Sequence, residues 1–343
     1  FLEFLNLLQL YIFISGLKIF LNMNNYSWLQ KKLHQFALSS QFMRETFYDF
    51  ETLFFQPKQN QDDHVFIVGL ARSGSTILLN AVYHSGLFAS LSYADMPFIL
   101  SPNLWSKIRK KQTHTNYVER AHRDGIKISS KSPEAFEEVF WKTFKDCDDS
   151  SIENFKNYID LITLKYQKER YLSKNNQNIK RLDIISKIYK NSKILIPFRD
   201  PIQHAYSMLT QHKKFIEDSK KDKFISNYMF WIGHTEFGPN YIPIKNKNLI
   251  FKDDMKIDHW IEQWFKAYEE CLKKYRLQKN VHFICYEKIC NSQEYWNEIL
   301  RFLEIKDEYK FKFIESKKDI SFKQNELSKK CYEIYDELCQ DAF

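Results

Sequence analysis

Short apolar runs alternate with longer amphipathic stretches along this chain, and the alternation predicts its elements. HVFIV, at 64–68, reads as a buried strand, followed by a glycine-bearing turn at 69–74 and an apolar helix over 75–85. A loop with Pro97 and Pro102 leads to a short strand near 126–129. A helix is expected after Pro133, where Glu134, Glu137 and Glu138 suit a helix N-terminus. Residues 150–190 read as polar and helical, with a turn at 175–178. KILIPF, at 193–198, is the next buried strand, and Arg199-Asp200-Pro201 opens a helix behind it. The stretch 215–256 lacks a clear period, holds Gly233, Gly238, Pro239 and Pro243, and reads as a loop-rich substrate or oligomer element. A helix at 258–277, the strand VHFICY at 281–286 and helices at 292–303 and 324–340 complete the pattern. Buried strands alternating with helices predict an α/β fold, its mainly parallel sheet covered on both faces. Ahead of it, 26–55 is helical, aromatic-rich and free of glycine and proline, as expected for a helical arm. The chain is therefore read as an apolar segment and arm over 1–60 and an α/β domain over 61–343.

Composition narrows the classes. With 44% apolar and 17% aromatic residues, the chain has ample material for a packed core. The net charge of +8 suits anionic partners, yet the lysines are scattered and no compact basic run interleaves with aromatics. Nucleic acid is therefore not an expected partner. Six cysteines form no C-x-x-C pair and no metal-ligand spacing, which reads as reduced thiols in a cytoplasmic protein, with Cys285 acting as a small apolar core residue. Residues 1–22 are apolar but interrupted by Glu3, Asn6, Gln9 and Lys18. A membrane anchor is the lesser reading of that segment; with Met23 the first methionine, a fragment or an upstream extension is the other.

The candidate chemistry centres on the turn. Gly69-x-x-x-x-Gly74-Ser75-Thr76 has the spacing of a phosphate-binding loop, and strand–turn–helix order presents backbone N–H groups to an anion. The chain has only seven glycines, so two at this spacing carry weight. Ser75 stands where a nucleotide hydrolase or kinase has lysine, and Arg72 lies inside the loop. A second anion site is suggested in RDPIQHAYS, where Arg199 ends a strand and Ser207 lies on the next helix. Taken alone, Arg199 could simply pair with Asp200.

Together the two segments resemble the sulfotransferases. GLARSGST is similar to that family's 5′-phosphosulfate loop, and Arg199 with Ser207 is similar to its 3′-phosphate pair. The resemblance covers about residues 62–290 and implies a P-loop-type three-layer α/β/α fold. It also implies 3′-phosphoadenosine 5′-phosphosulfate (PAPS) as donor, adenosine 3′,5′-bisphosphate as product, and no metal. Donor contacts would come from Arg72, Ser73, Gly74, Ser75, Thr76, Arg199, Ser207 and Tyr286, the last within a Tyr286-Glu287 pair. Ser321 and Lys323 resemble a C-terminal loop that closes on the donor.

Sulfuryl transfer builds charge on the leaving oxygen, so positioned cations are its main need. Arg72 is the first candidate. Lys131, in Ser130-Lys131-Ser132-Pro133, resembles the leaving-group lysine of the tyrosylprotein branch, against the alternative of a surface lysine. The histidine base of the cytosolic branch has no counterpart at Lys127-Ile128-Ser129-Ser130. The tyrosylprotein branch has a glutamate base about two dozen residues past the loop arginine, and that resemblance makes Asp95 the candidate base for a hydroxyl (or amine) acceptor, with a helix N-cap as the alternative and Glu134 as a weaker substitute. His204 and His212 are expected as helix-surface or packing residues. A homodimer is possible. The competing readings are a degenerate P-loop nucleoside kinase or NTPase, and a non-catalytic nucleotide-binding module.

Overall fold

The computed structural model describes residues 26–57, 62–109, 118–119, 127–145, 148–245, 247–315 and 317–342, and the apolar segment 1–22 lies outside them. The strands are β1 (Val65–Ile67), β2 (Phe88–Ala89), β3 (Val118–Glu119), β4 (Lys127–Ile128), β5 (Arg170–Lys174), β6 (Lys193–Phe198) and β7 (Val281–Cys285). Five of them follow the order β2-β5-β1-β6-β7, and every pair among them is parallel. β1, β6 and most of β7 are buried on both faces, which is why they read as continuous apolar runs.

The chain forms two compact units. One holds 87–171, 227–233 and the described residues before 58. Here the helices Trp28–Leu38 and Gln41–Phe54 account for the expected arm. Ser27 opens the first with a capping box closed by Gln30. Arg44, buried, donates to the Thr143 hydroxyl and the Leu38 carbonyl, and Glu51, also buried, accepts from the N–H groups of Asn103 and Leu104 at the start of the helix Pro102–Ile108. Phe140, Trp141, Phe155 and Tyr158 pack as an aromatic core beneath these helices.

The other unit holds 62–86, 172–226 and 234–343. Helices Pro201–Lys221, Ile257–Tyr275 and Glu326–Asp341 pack on one another there, around Trp260, Trp264 and Tyr268. Cys271, Cys285, Cys290, Cys331 and Cys339 are free thiols, and Cys285 is buried at the end of β7 as expected. No helix among the described residues is long and apolar enough to cross a membrane.

Three expectations are corrected. The stretch 150–190 is not helical throughout: the helix Asp149–Tyr166 stops where Gln167 turns left-handed, and β5 follows. RYLSK carries few strand-forming apolar residues, and its burial between β2 and β1 decides its conformation. The strand near 126–129 is not part of the central sheet, because β4 pairs with β3 in a separate antiparallel ribbon. The first part of the expected loop at 215–256, through Trp231, is helical. Asp200 caps the helix Pro201–Lys221 by accepting from the N–H groups of Ile202 and Gln203, and Lys223–Trp231 follows.

Candidate active site

The turn after β1 is shaped by two residues in the left-handed region, Arg72 (φ 74°) and Gly74 (φ 91°). Gly74 is the N-cap of the helix Ser75–Tyr83 and, lacking a side chain, gives that helix no side-chain cap. Only a residue without Cβ fits there: an added Cβ would stand 2.2 Å from Cδ2 of Tyr286. Tyr286, at the end of β7, is thus laid against the turn, and its hydroxyl donates to the Ile314 carbonyl at 2.7 Å. Burial pushes its pKa up, so the phenol stays protonated. Ser73, Ser75 and Thr76 are buried, while Arg72 is half-buried.

The second motif meets the first. Arg72 Nε donates to Ser207 Oγ at 3.2 Å, although the two residues lie 135 positions apart. Arg199, buried at the end of β6, stands with its guanidinium 5.6 Å from the centre of the Tyr286 ring. Glu287 accepts from the Asp200 N–H at 3.0 Å, tying the ends of β6 and β7. Gln203 pairs with the Lys318 backbone in both directions, while Ser321 and Lys323 are exposed. Arg72, Ser73, Gly74, Ser75, Thr76, Arg199, Ser207 and Tyr286 therefore form one constellation: two guanidiniums, hydroxyls and an uncapped helix N-terminus. Such a set fits a ligand with phosphate-like groups at both ends. Among the described residues, no cluster of histidines, cysteines and carboxylates is placed to hold a metal.

Asp95 and Lys131 belong to the other unit, on adjacent segments. The Tyr93 N–H donates to the Ser132 carbonyl, the Glu134 N–H donates to the Leu91 carbonyl, and Ser92 bridges Pro133. Lys131 is exposed. Asp95 is fully buried and closes a capping box with Ser92, whose N–H donates to its carboxylate at 2.8 Å. The Tyr166 hydroxyl donates to the same carboxylate at 2.7 Å, and Lys165 forms an ion pair with it. Burial pushes the Lys165 ammonium down to about 7, and the negative charge of Glu51 opposes that shift. Glu134 accepts from the Tyr93 hydroxyl at 2.8 Å and from the Ala135 N–H.

His204 was expected on the helix surface or in packing; it is wholly buried, with Nε2 2.8 Å from the Ala71 carbonyl of the turn. A contact across 133 positions leaves no local signal in sequence. His212 is buried too, its Nδ1 accepting from the Gly238 N–H.

A model of the sulfotransferase domain family matches residues 62–334. No curated protein matches the sequence. Among solved structures, sulfotransferase STF1 from Mycobacterium tuberculosis H37Rv is 10% identical, covering 90% of this chain and 81% of that one, with a TM-score of 0.46. STF9 from Mycobacterium avium is 11% identical, covering 90% and 76%, with a TM-score of 0.45. A sulfotransferase domain from the curacin biosynthetic pathway is 14% identical, covering 72% and 75%, with a TM-score of 0.36. With the family model spanning most of its length, the chain belongs to the sulfotransferase domain family and is an enzyme of sulfuryl transfer.

Proposed function

We propose that this enzyme takes the sulfuryl group from PAPS and passes it to a hydroxyl-bearing (or amine) acceptor, releasing adenosine 3′,5′-bisphosphate. The observation that carries the reading is the Arg72–Ser207 hydrogen bond, which joins the loop to the RDPIQHAYS segment. In this arrangement Arg72 and the N–H groups of residues 73–76 hold the 5′ end of the donor. Arg199 and Ser207 hold its 3′-phosphate, and Tyr286 flanks the nucleotide. No lysine is needed at position 75, because no metal-bridged terminal phosphate has to be held.

The acceptor oxygen attacks sulfur in line and releases its proton to water, and the bond from sulfur to the 5′-phosphate oxygen breaks, its electron pair staying on that oxygen. Arg72 offsets the charge that develops there, and Lys131 is the second cation proposed for it. For Asp95, the contacts with Ser92, Lys165 and Tyr166 support an organising part in the 92–96 turn in place of the base expected from its position.

A metal-free thermal-shift measurement tests the donor. Adenosine 3′,5′-bisphosphate at 100 times its Kd should stabilise the protein by about 2.7 kcal/mol. Stabilisation by Mg·ATP and not by the bisphosphate would return the chain to the kinase reading. A radiolabelled-sulfate screen over sugars, phenols, lipids and small alcohols then identifies the acceptor.

A further inference from the structure

We propose that His204 is a positioning residue for sulfuryl transfer: by holding the Ala71 carbonyl, it sets the peptide from which Arg72 and its N–H face the donor's 5′ end. The inference rests on the donor assignment above.

A carbonyl can only accept, so the 2.8 Å contact requires a proton on Nε2 of His204. Among the described residues Nδ1 meets no acceptor, so a second ring proton there would be buried unsatisfied, and Nδ1 keeps a bare lone pair. The ring is therefore a neutral imidazole of fixed tautomer. Burial holds the pKa down at about 3, against the pull of the Ala71 hydrogen bond, and the charges of Arg199 and Arg72 act in the same direction as burial. Unlike a lysine or arginine here, a neutral donor adds no third charge to compete for the anion.

The peptide between Ala71 and Arg72 is trans, so its carbonyl and its N–H point in opposite directions. With the carbonyl tied to the helix Pro201–Lys221, the Arg72 N–H is turned away from that helix. The inverted peptide would exchange the two dipoles and aim a carbonyl where the N–H now stands, which repels an anion. Arg72 is also in the left-handed region, an unfavourable conformation for a side chain of its kind, and such a conformation persists only where its surroundings impose it. His204 supplies that constraint from one side, and the Arg72–Ser207 bond supplies it from the other. Both partners lie on one helix, one turn apart, so a single rigid element fixes the peptide and the guanidinium together.

The test separates the two ends of the nucleotide. Adenosine 3′,5′-bisphosphate reaches the loop through its 5′-phosphate, whereas adenosine 3′-monophosphate lacks that group. In His204→Phe, which cannot donate, affinity for the bisphosphate should fall by about tenfold, the scale of one hydrogen bond to a charged ligand, with affinity for the 3′-monophosphate unchanged. His204→Gln places an amide donor near the same point and should recover most of the loss. If His204→Phe does not fold, His204→Asn, whose shorter amide stops short of the carbonyl, provides the same comparison. Equal weakening of both nucleotides assigns His204 to general packing and overturns the inference, as does unchanged bisphosphate binding. A wild-type protein that binds neither nucleotide refutes the donor assignment, and the inference falls with it.

Discussion

Gly74→Ala is the sharpest test of how the donor loop is built. The new Cβ meets Tyr286 Cδ2 at 2.2 Å and Cε2 at 2.5 Å. These atoms belong to a buried ring pinned at its far end by the Ile314 carbonyl, so the ring cannot pivot aside and must be expelled. Expulsion forfeits about 1.5–3 kcal/mol of burial and a hydrogen bond of about 1 kcal/mol. The left-handed φ of 91° adds about 1–2 kcal/mol for any residue with a Cβ. The substitution should therefore cost about 3.5–6 kcal/mol in an otherwise native chain. In a Tyr286→Ala background only the backbone part survives, and the same substitution should cost about 1–2 kcal/mol. Urea unfolding of the four proteins of this cycle measures both values. If Gly74→Ala costs the same in the two backgrounds, Tyr286 does not pack on the loop as described and the reasoning fails.

Arg72→Ala and Lys131→Ala should each lower turnover by about two orders of magnitude or more, since each removes a charge-directed contact; unchanged turnover in both sinks the mechanism. Asp95→Asn should destabilise the protein by about 3 kcal/mol by leaving the Lys165 ammonium without its counter-charge. A variant of native stability that has lost turnover would instead restore Asp95 as the base. Acid should destabilise the fold through two neutral buried histidines, His34 and His204, whose pKa values are held down at about 4 and about 3. The unfolded chain takes up these protons below pH ~6.5 and the native one does not, so stability is full above pH ~6.5 and falls toward pH 4 by up to ~1.4 kcal/mol per unit for each ring. Unfolding measured between pH 7 and pH 4.5 should show a shallower slope in His34→Gln, and an identical slope argues against the neutral state of that ring.

Much of the architecture was legible because the strands that matter here are buried on both faces. VFI, KILIPF and VHFIC announce themselves as apolar runs wherever they sit. β5 did not, since RYLSK acquires its strand character from neighbours on both sides, and β2 is too short to leave a pattern. The start of the 215–256 stretch looked irregular because helix Pro201–Lys221 is long and polar on its outer face, which dilutes the period. At the candidate site, local motifs marked the loop, Arg199, Ser207 and Tyr286 by their spacing. What sequence could not supply was partnership: that Arg72 reaches Ser207, that Tyr286 needs the missing Cβ of Gly74, or that Lys165 and Tyr166 occupy Asp95. Each of these joins segments separated by tens to hundreds of residues.

The left-handed backbone of Arg72 has an evolutionary consequence. Glycine or asparagine would sit there with less strain, so selection for folding alone pulls position 72 away from arginine. Selection for the catalytic role proposed for Arg72 pulls it back. A library randomised at this codon should therefore split under the two regimes: the best-folded clones would be poor catalysts, and the active ones would carry a standing stability deficit that other positions must offset.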